Sequence, residues 1–312
     1  MSQNNSMSYG GQAVLEGVMF GGKTVNVTAV RRKNSDISFL EVPKSEKNWV
    51  RTLKKIPFLR GLVAIVDSAG KGAKHLNFSA EIFAEEESDG TDEPKKETAP
   101  SMSDRLGLVI GVAAVGVLSF IFGKLIFTLV PMTLEQLLFQ GVFKNQIFHN
   151  LLEGAIKIVF LLFYIYIIGL APPVKRLFQY HGAEHKVISA YEAGEELTVP
   201  NVQKFSTLHY RCGSSFLVMT VLIGVVIYSF FHYDGFVERM VQRLLLLPVI
   251  IAVSFEFLKL TNAMRDIPVL RFLGYPGLWL QKLTTKEPDD SMVEVSIASF
   301  NRMRELDSQA QA

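Results

Sequence analysis

The stretch QYHGAEHKVISAYEAGEEL, Gln179–Leu197, sets two histidines four residues apart with a glutamate between them. On a helix His181 and His185 stack on one face, and Glu184 lies beside them. Two imidazoles so placed can together hold one Zn²⁺ at about 2.0–2.1 Å. The order H-x-x-E-H is also that of the inverzincins, in which the glutamate acts as general base on water. Glu192 follows near the same face and offers a carboxylate ligand. TLHYRCGSSF then brings His209 and Cys212, and Cys212 is the only cysteine of the chain. A cysteine there serves as a thiolate ligand or as a small buried residue. Ligand number separates the outcomes. His181, His185, His209 and Cys212 together would make a closed, structural site, whereas three protein ligands leave a position for water. In the open form Glu184 is the expected base, Glu192, His209 or Cys212 completes the shell, and Arg211 offers oxyanion stabilisation.

What must position these residues is a chain that is 49% hydrophobic, with its apolar residues in blocks. Leu106–Val130, Ala155–Ala171, Phe216–Phe231 and Leu244–Leu258 predict four transmembrane helices, each span needing roughly 20 apolar residues. The last block is short and holds Pro248 and Glu256, so a buried or interfacial helix is its alternative. The polar N-terminus MSQNNSMSYGG has no apolar core of a signal peptide. Lys95, Lys96 and Arg105 precede the first block, Lys175 and Arg176 follow the second, and Lys259 and Arg265 follow the fourth. That bias predicts a multi-pass protein with both termini and Pro172–Ser215 cytoplasmic. A net charge of +2 gives no reason to expect nucleic acid as a partner. The single cysteine forbids an internal disulfide and fits a reducing compartment.

The expected fold is therefore a mainly α membrane protein with a cytosolic α+β layer. Residues 1–80 read as a cytosolic or membrane-surface unit, 81–104 as an acidic disordered linker, 105–171 as the first two spans, and 172–215 as the motif segment. Residues 216–260 carry the other two spans, and 261–312 a C-terminal cytosolic segment. TVNVTAV and ISFLEV alternate around RRKNSD and predict a β-hairpin. KKIPFLRGLVAIVDSAGKGAKHL predicts a helix in the membrane interface or buried in the cytosolic unit. GGQAVLEGVMFGG reads first as a structural turn, its functional alternative being Glu16 reaching the histidines. Val293, Ile297, Phe300 and Met303 predict an amphipathic helix over Met292–Leu306, capped by Asp289 or Ser291. Gly107 and Gly111 have the spacing that lets membrane helices pack closely, which leaves room for a homo-oligomer.

GGQAVLEGVMFGG, YHGAEHKVISAYE, HYRCGSSF, PGLWLQKLTTKEP and VEVSIASF resemble, in this order, the motifs of the YqhQ-like family of bacterial integral membrane proteins. The resemblance runs over nearly the whole chain and implies a place in the bacterial cytoplasmic membrane. Such proteins are described as predicted metal-dependent enzymes, and no reaction or substrate comes with the resemblance. It puts forward His181, Glu184, His185, His209 and Cys212. Where the family tends to read H-P-R-C-G-T-S-F, this chain has Tyr210 and Ser214. Two functions stay open: a hydrolase using a divalent metal, with zinc expected, on an unspecified substrate at the membrane surface, and a non-catalytic scaffold in which the His/Cys cluster is a staple.

Overall fold

The computed structural model describes residues 9–45, 48–88, 122–123, 125–264 and 267–310. Four strands, β1 (Gly10–Val14), β2 (Gly17–Gly21), β3 (Val25–Arg31) and β4 (Ile37–Pro43), form an antiparallel sheet in that order. The β3–β4 hairpin follows from the alternation around RRKNSD and pairs Arg31 with Ile37. The glycine-rich stretch is a hairpin of its own. Val14 pairs with Gly17 across the two-residue turn Leu15–Glu16. Glu16 takes φ 54°, a left-handed conformation uncommon for a residue with a side chain. Its carbonyl accepts the Arg31 N–H at 2.9 Å, and its carboxylate is gripped by both arms of the Arg176 guanidinium.

The sheet is covered on both faces, as its period-two pattern requires. Val18, Phe20, Val27 and Ala29 pack with Tyr180, Ala183 and Val187 of α5 (Pro172–Glu192) and Phe300 and Met303 of α11 (Asp290–Gln309). Val14 and Val30 on the other face meet Ile82 and Phe78 of α2 (Leu59–Ser88). The expected interfacial helix is thus the first half of α2, with Val66 on it 74% exposed. α2 continues through Glu81–Ser88, into the stretch read as linker; residues 89–104 lie outside the described residues. α11 is capped by Asp289, whose side chain accepts the Met292 N–H at 2.9 Å. It is bolted to the sheet by Ser299, which donates to the carbonyls of Val18 or Val27, and by Asp307, which accepts the N–H groups of Lys23 at 2.6 Å and Thr24 at 2.8 Å.

α5 is longer than the H-x-x-E-H motif suggests. Pro172 and Pro173 open it, where a missing N–H costs nothing. Gly194, at φ 78°, ends it. Nearly every residue from Tyr180 to Ile188 is buried.

The described residues bear out one or two of the four expected spans. Among the described residues one helix, α4 (Gln146–Ile168), is long and apolar enough to cross a membrane. The block Phe216–Phe231 yields only the 14-residue α7 (Ser215–Tyr228), roughly 21 Å long against the roughly 30 Å of a hydrocarbon core. The block Leu244–Leu258 is broken at Leu246, and α8 (Phe236–Leu245) and α9 (Leu247–Ala263) meet at a 48° bend. Pro248 explains the restart, since proline fits the first turn of a helix and not its interior. Together α8 and α9 are a second candidate for one broken span or a re-entrant loop. Most of Leu106–Val130 lies outside the described residues, and its end joins α3 (Leu125–Phe139).

A second compact unit, residues 89–163 and 221–247, has an ionic centre. Arg239 donates to Glu135 and Glu153 at 2.7 Å each, Arg243 to Glu153 at 2.9 Å and Asn150 at 2.6 Å, and Lys157 to Glu153 at 2.6 Å. Arg243 also lies 3.7 Å over the Tyr228 ring. Charges buried this deeply persist only when paired and hydrogen-bonded.

Gly182 is where α5 meets the backbone of the segment after α10 (Tyr275–Thr284), since a Cβ there would overlap the Lys286 carbonyl. Gly182→Ala is expected to destabilise the protein by about 1–3 kcal/mol, the range for overpacking. Thermal unfolding of the purified full-length chain checks this.

Candidate metal centre

α5 turns His181, Glu184 and His185 into a cavity of about 310 Å³ between β1 and the 209–214 loop. The His181 and His185 rings lie 4.5 Å apart. His181 Nδ1 is 2.9 Å from the Thr284 carbonyl and His185 Nδ1 2.5 Å from the Thr207 carbonyl. A carbonyl can only accept, so both Nδ1 atoms carry the proton and both Nε2 atoms keep a free lone pair. This is how carbonyl partners orient histidines that bind metals. Cys212 Sγ stands 3.3 Å from His181 Nε2. One nitrogen from each histidine and the sulfur all lie within 4.8 Å of one another. Tetrahedral zinc separates such donors by roughly 3.5 Å, so only a small inward adjustment is needed. The sulfur also sits 2.9 Å from Ser214 Oγ and 3.4 Å from the Ser214 backbone nitrogen, whose N–H points to it.

The loop bearing Cys212 is pinned by a residue that the motif search missed. Gln281, fully buried in α10, accepts the His209 N–H at 2.8 Å and donates to the His209 carbonyl at 2.8 Å or Ser215 Oγ at 2.9 Å. The signal for it was a lone amide within the apolar PGLWLQKL. Gly277, one turn earlier, lets Ser215 approach where a Cβ would come within 2.5 Å. The family departures are absorbed locally: Ser214 serves the sulfur, and the Tyr210 ring packs on Gly274.

The other predicted residues fall around the trio. His209 lies next to it, its ring 5.7 Å from that of His185. Its Nδ1 accepts the Arg211 N–H at 3.3 Å, and its Nε2 faces Glu192 at 3.6 Å. Glu192 is ion-paired with Arg211, and Arg211 also lines the cavity. Glu16 does not reach the histidines, because Arg176 holds it one helix turn beyond Tyr180. The glycine motif meets the site through Gly11 instead. The Glu184 carboxylate lies against Gly11: a Cβ at position 11 would stand 3.0 Å from that carboxyl carbon.

Residues 56–306 match the family described as "Protein of unknown function (DUF1385)". The chain belongs to that family. It is also 48% identical over 301 residues, covering 96% of this chain and 93% of the relative, to the "Uncharacterized protein YqhQ" of Bacillus subtilis (strain 168). No solved structure matches the chain. In this DUF1385 protein, three separated segments meet at one cavity, and VEVSIASF holds the sheet beneath them.

Burial dominates the electrostatics. It raises the Glu184 pKa above the usual carboxylate value, opposed by His181 and by the Gly11 N–H. It lowers the His185 pKa, opposed by the hydrogen bond with Cys212. A histidine depressed in the folded state contributes stability that is lost as pH falls from its unfolded value of 6.5. Metal-free protein is therefore expected to melt at lower temperature on going from about pH 7 to 5, and His185→Gln to flatten that decline. Thermal unfolding in chelator across that range checks both.

Proposed function

We propose that this protein is a membrane-associated, metal-dependent hydrolase. One divalent ion, zinc, is held by His181, His185 and Cys212, with a fourth position left for water. The observation that carries this reading is the trio itself: two Nε2 lone pairs and one sulfur converge beside a cavity, with both Nδ1–H groups tied to carbonyls. The ion would supply Lewis acidity and a more acidic water. Glu184, buried with a raised pKa, is suited to take a proton and return it. Arg211 lines the cavity as a cation and faces developing negative charge from the loop side. His209, the residue that would close the site as a fourth ligand, has its ring nitrogens turned to the Arg211 N–H and to Glu192, which supports an open position. The apolar α4 supports attachment to the lipid bilayer.

Metal analysis of the purified full-length protein is expected to find one zinc per chain. His181→Ala and Cys212→Ser each remove most of it, while Glu184→Gln keeps the ion and slows hydrolysis by about 10²–10⁴-fold. A chain without stoichiometric metal, or His181→Ala holding as much as the unaltered chain, would sink the reading.

A further inference from the structure

β1 is the outer strand of its sheet. β2 pairs with one side of it, and among the described residues no strand pairs with the other. A two-residue turn closes on a pair that exchanges both hydrogen bonds, so Val14, Gln12 and Gly10 turn their N–H and C=O groups toward β2. Gly11 and Ala13 therefore turn theirs outward. The Glu184 carboxylate lies beside Gly11, its Oε1 3.0 Å from where a Cβ would stand. Tyr9–Ala13 line the same cavity as His181, His185 and Cys212.

We propose that the cavity takes a polypeptide in extended conformation, added to β1 as a further antiparallel strand. This rests on the hydrolase reading above and names its substrate class. Recognition is through the main chain, which makes it tolerant of side-chain sequence. One substrate residue exchanges both hydrogen bonds with Ala13. The residue two positions further on, roughly 6.8 Å away, comes opposite Gly11. Its carbonyl accepts the outward Gly11 N–H, beside the Glu184 carboxylate. The register of the strand, set at Ala13, thereby selects the peptide bond presented to the base. Water oxygen then bonds to that carbonyl carbon as Glu184 takes a water proton. The C–N bond breaks, its electron pair leaves with the nitrogen, and Glu184 returns the proton there, giving a carboxylic acid and an amine. Water is the only co-reactant.

The test uses the full-length protein, loaded with zinc, and fluorescein-labelled β-casein as an unfolded polypeptide. The unaltered chain is expected to cleave casein. Ala13→Pro removes an N–H that the sheet does not use, and edge positions accept proline. It should raise KM about tenfold, the worth of one lost hydrogen bond, without changing zinc content. A chain that binds no zinc overturns the underlying reading. A zinc-loaded chain that leaves casein intact, as a small-molecule hydrolase would, overturns this inference alone, and so does an Ala13→Pro variant that cleaves normally. Should Ala13→Pro fail to fold, hydrogen exchange at the Ala13 amide decides: slowing by casein supports the added strand, and an unchanged rate refutes it.

Discussion

Helix α5 is held between two stretches of backbone, and both approach it at glycines. Gly11 of β1 lets the Glu184 carboxyl come close from one side, and Gly182 admits the Lys286 carbonyl from the other. A side chain at either place would separate the layers. The sheet would then lose its hold on Glu184, and the segment after α10 would lose the contact that brings the Thr284 carbonyl to His181. Close backbone approach is a stricter demand than hydrophobic matching, because no rotamer can relieve a missing or extra Cβ. The site depends on it more than on any ion pair around it.

This arrangement explains why segments so far apart in the chain share one cavity. α5 supplies two imidazoles and a carboxylate, the 209–214 loop supplies sulfur and a guanidinium, and β1 supplies backbone. None of these is positioned by its own element alone. The loop is fixed by Gln281, whose amide serves as donor and acceptor to a neighbouring main chain, much as a strand would. Lys186, facing away from the cavity, ties the same helix to the Gln203 carbonyl and to Glu287. The trio therefore sits in a frame in which side chains stand in for missing secondary structure.

Much of this was legible in the residues. The hairpin over β3 and β4 followed from alternation, the end of α5 from Gly194, the cap of α11 from Asp289, and the trio from motif spacing with a single cysteine. The β1–β2 hairpin was not, because GGQAVLEGVMFGG lacks the β-branched runs that mark strands and its glycines read as a turn. Glu16 was misdirected for a related reason: proximity in sequence to glycines said nothing of Arg176, 160 residues away. The spans were legible only in part. Hydropathy counts apolar residues, but Pro248 restarts a helix inside one block, and another gives a helix too short to cross. The ionic centre of the second unit was invisible as well. Nothing in the spacing of Arg239 and Arg243 points to Glu135 and Glu153, on other helices, which neutralise them.

α11 closes the sheet that the first strands begin. Asp307 satisfies N–H groups at Lys23 and Thr24, and Ser299 reaches carbonyls of β2 and β3, across more than 270 residues of chain. During synthesis the four strands emerge first and α11 among the last residues, after every apolar helix between them has been made. For most of translation the sheet lacks the cover of α5 and α11, and β1 lacks Glu184. The cavity cannot exist until α5 and the 209–214 loop have joined β1. The order of the ribosome thus works as a timer: whatever the site does, it begins only after the intervening apolar helices have left the tunnel.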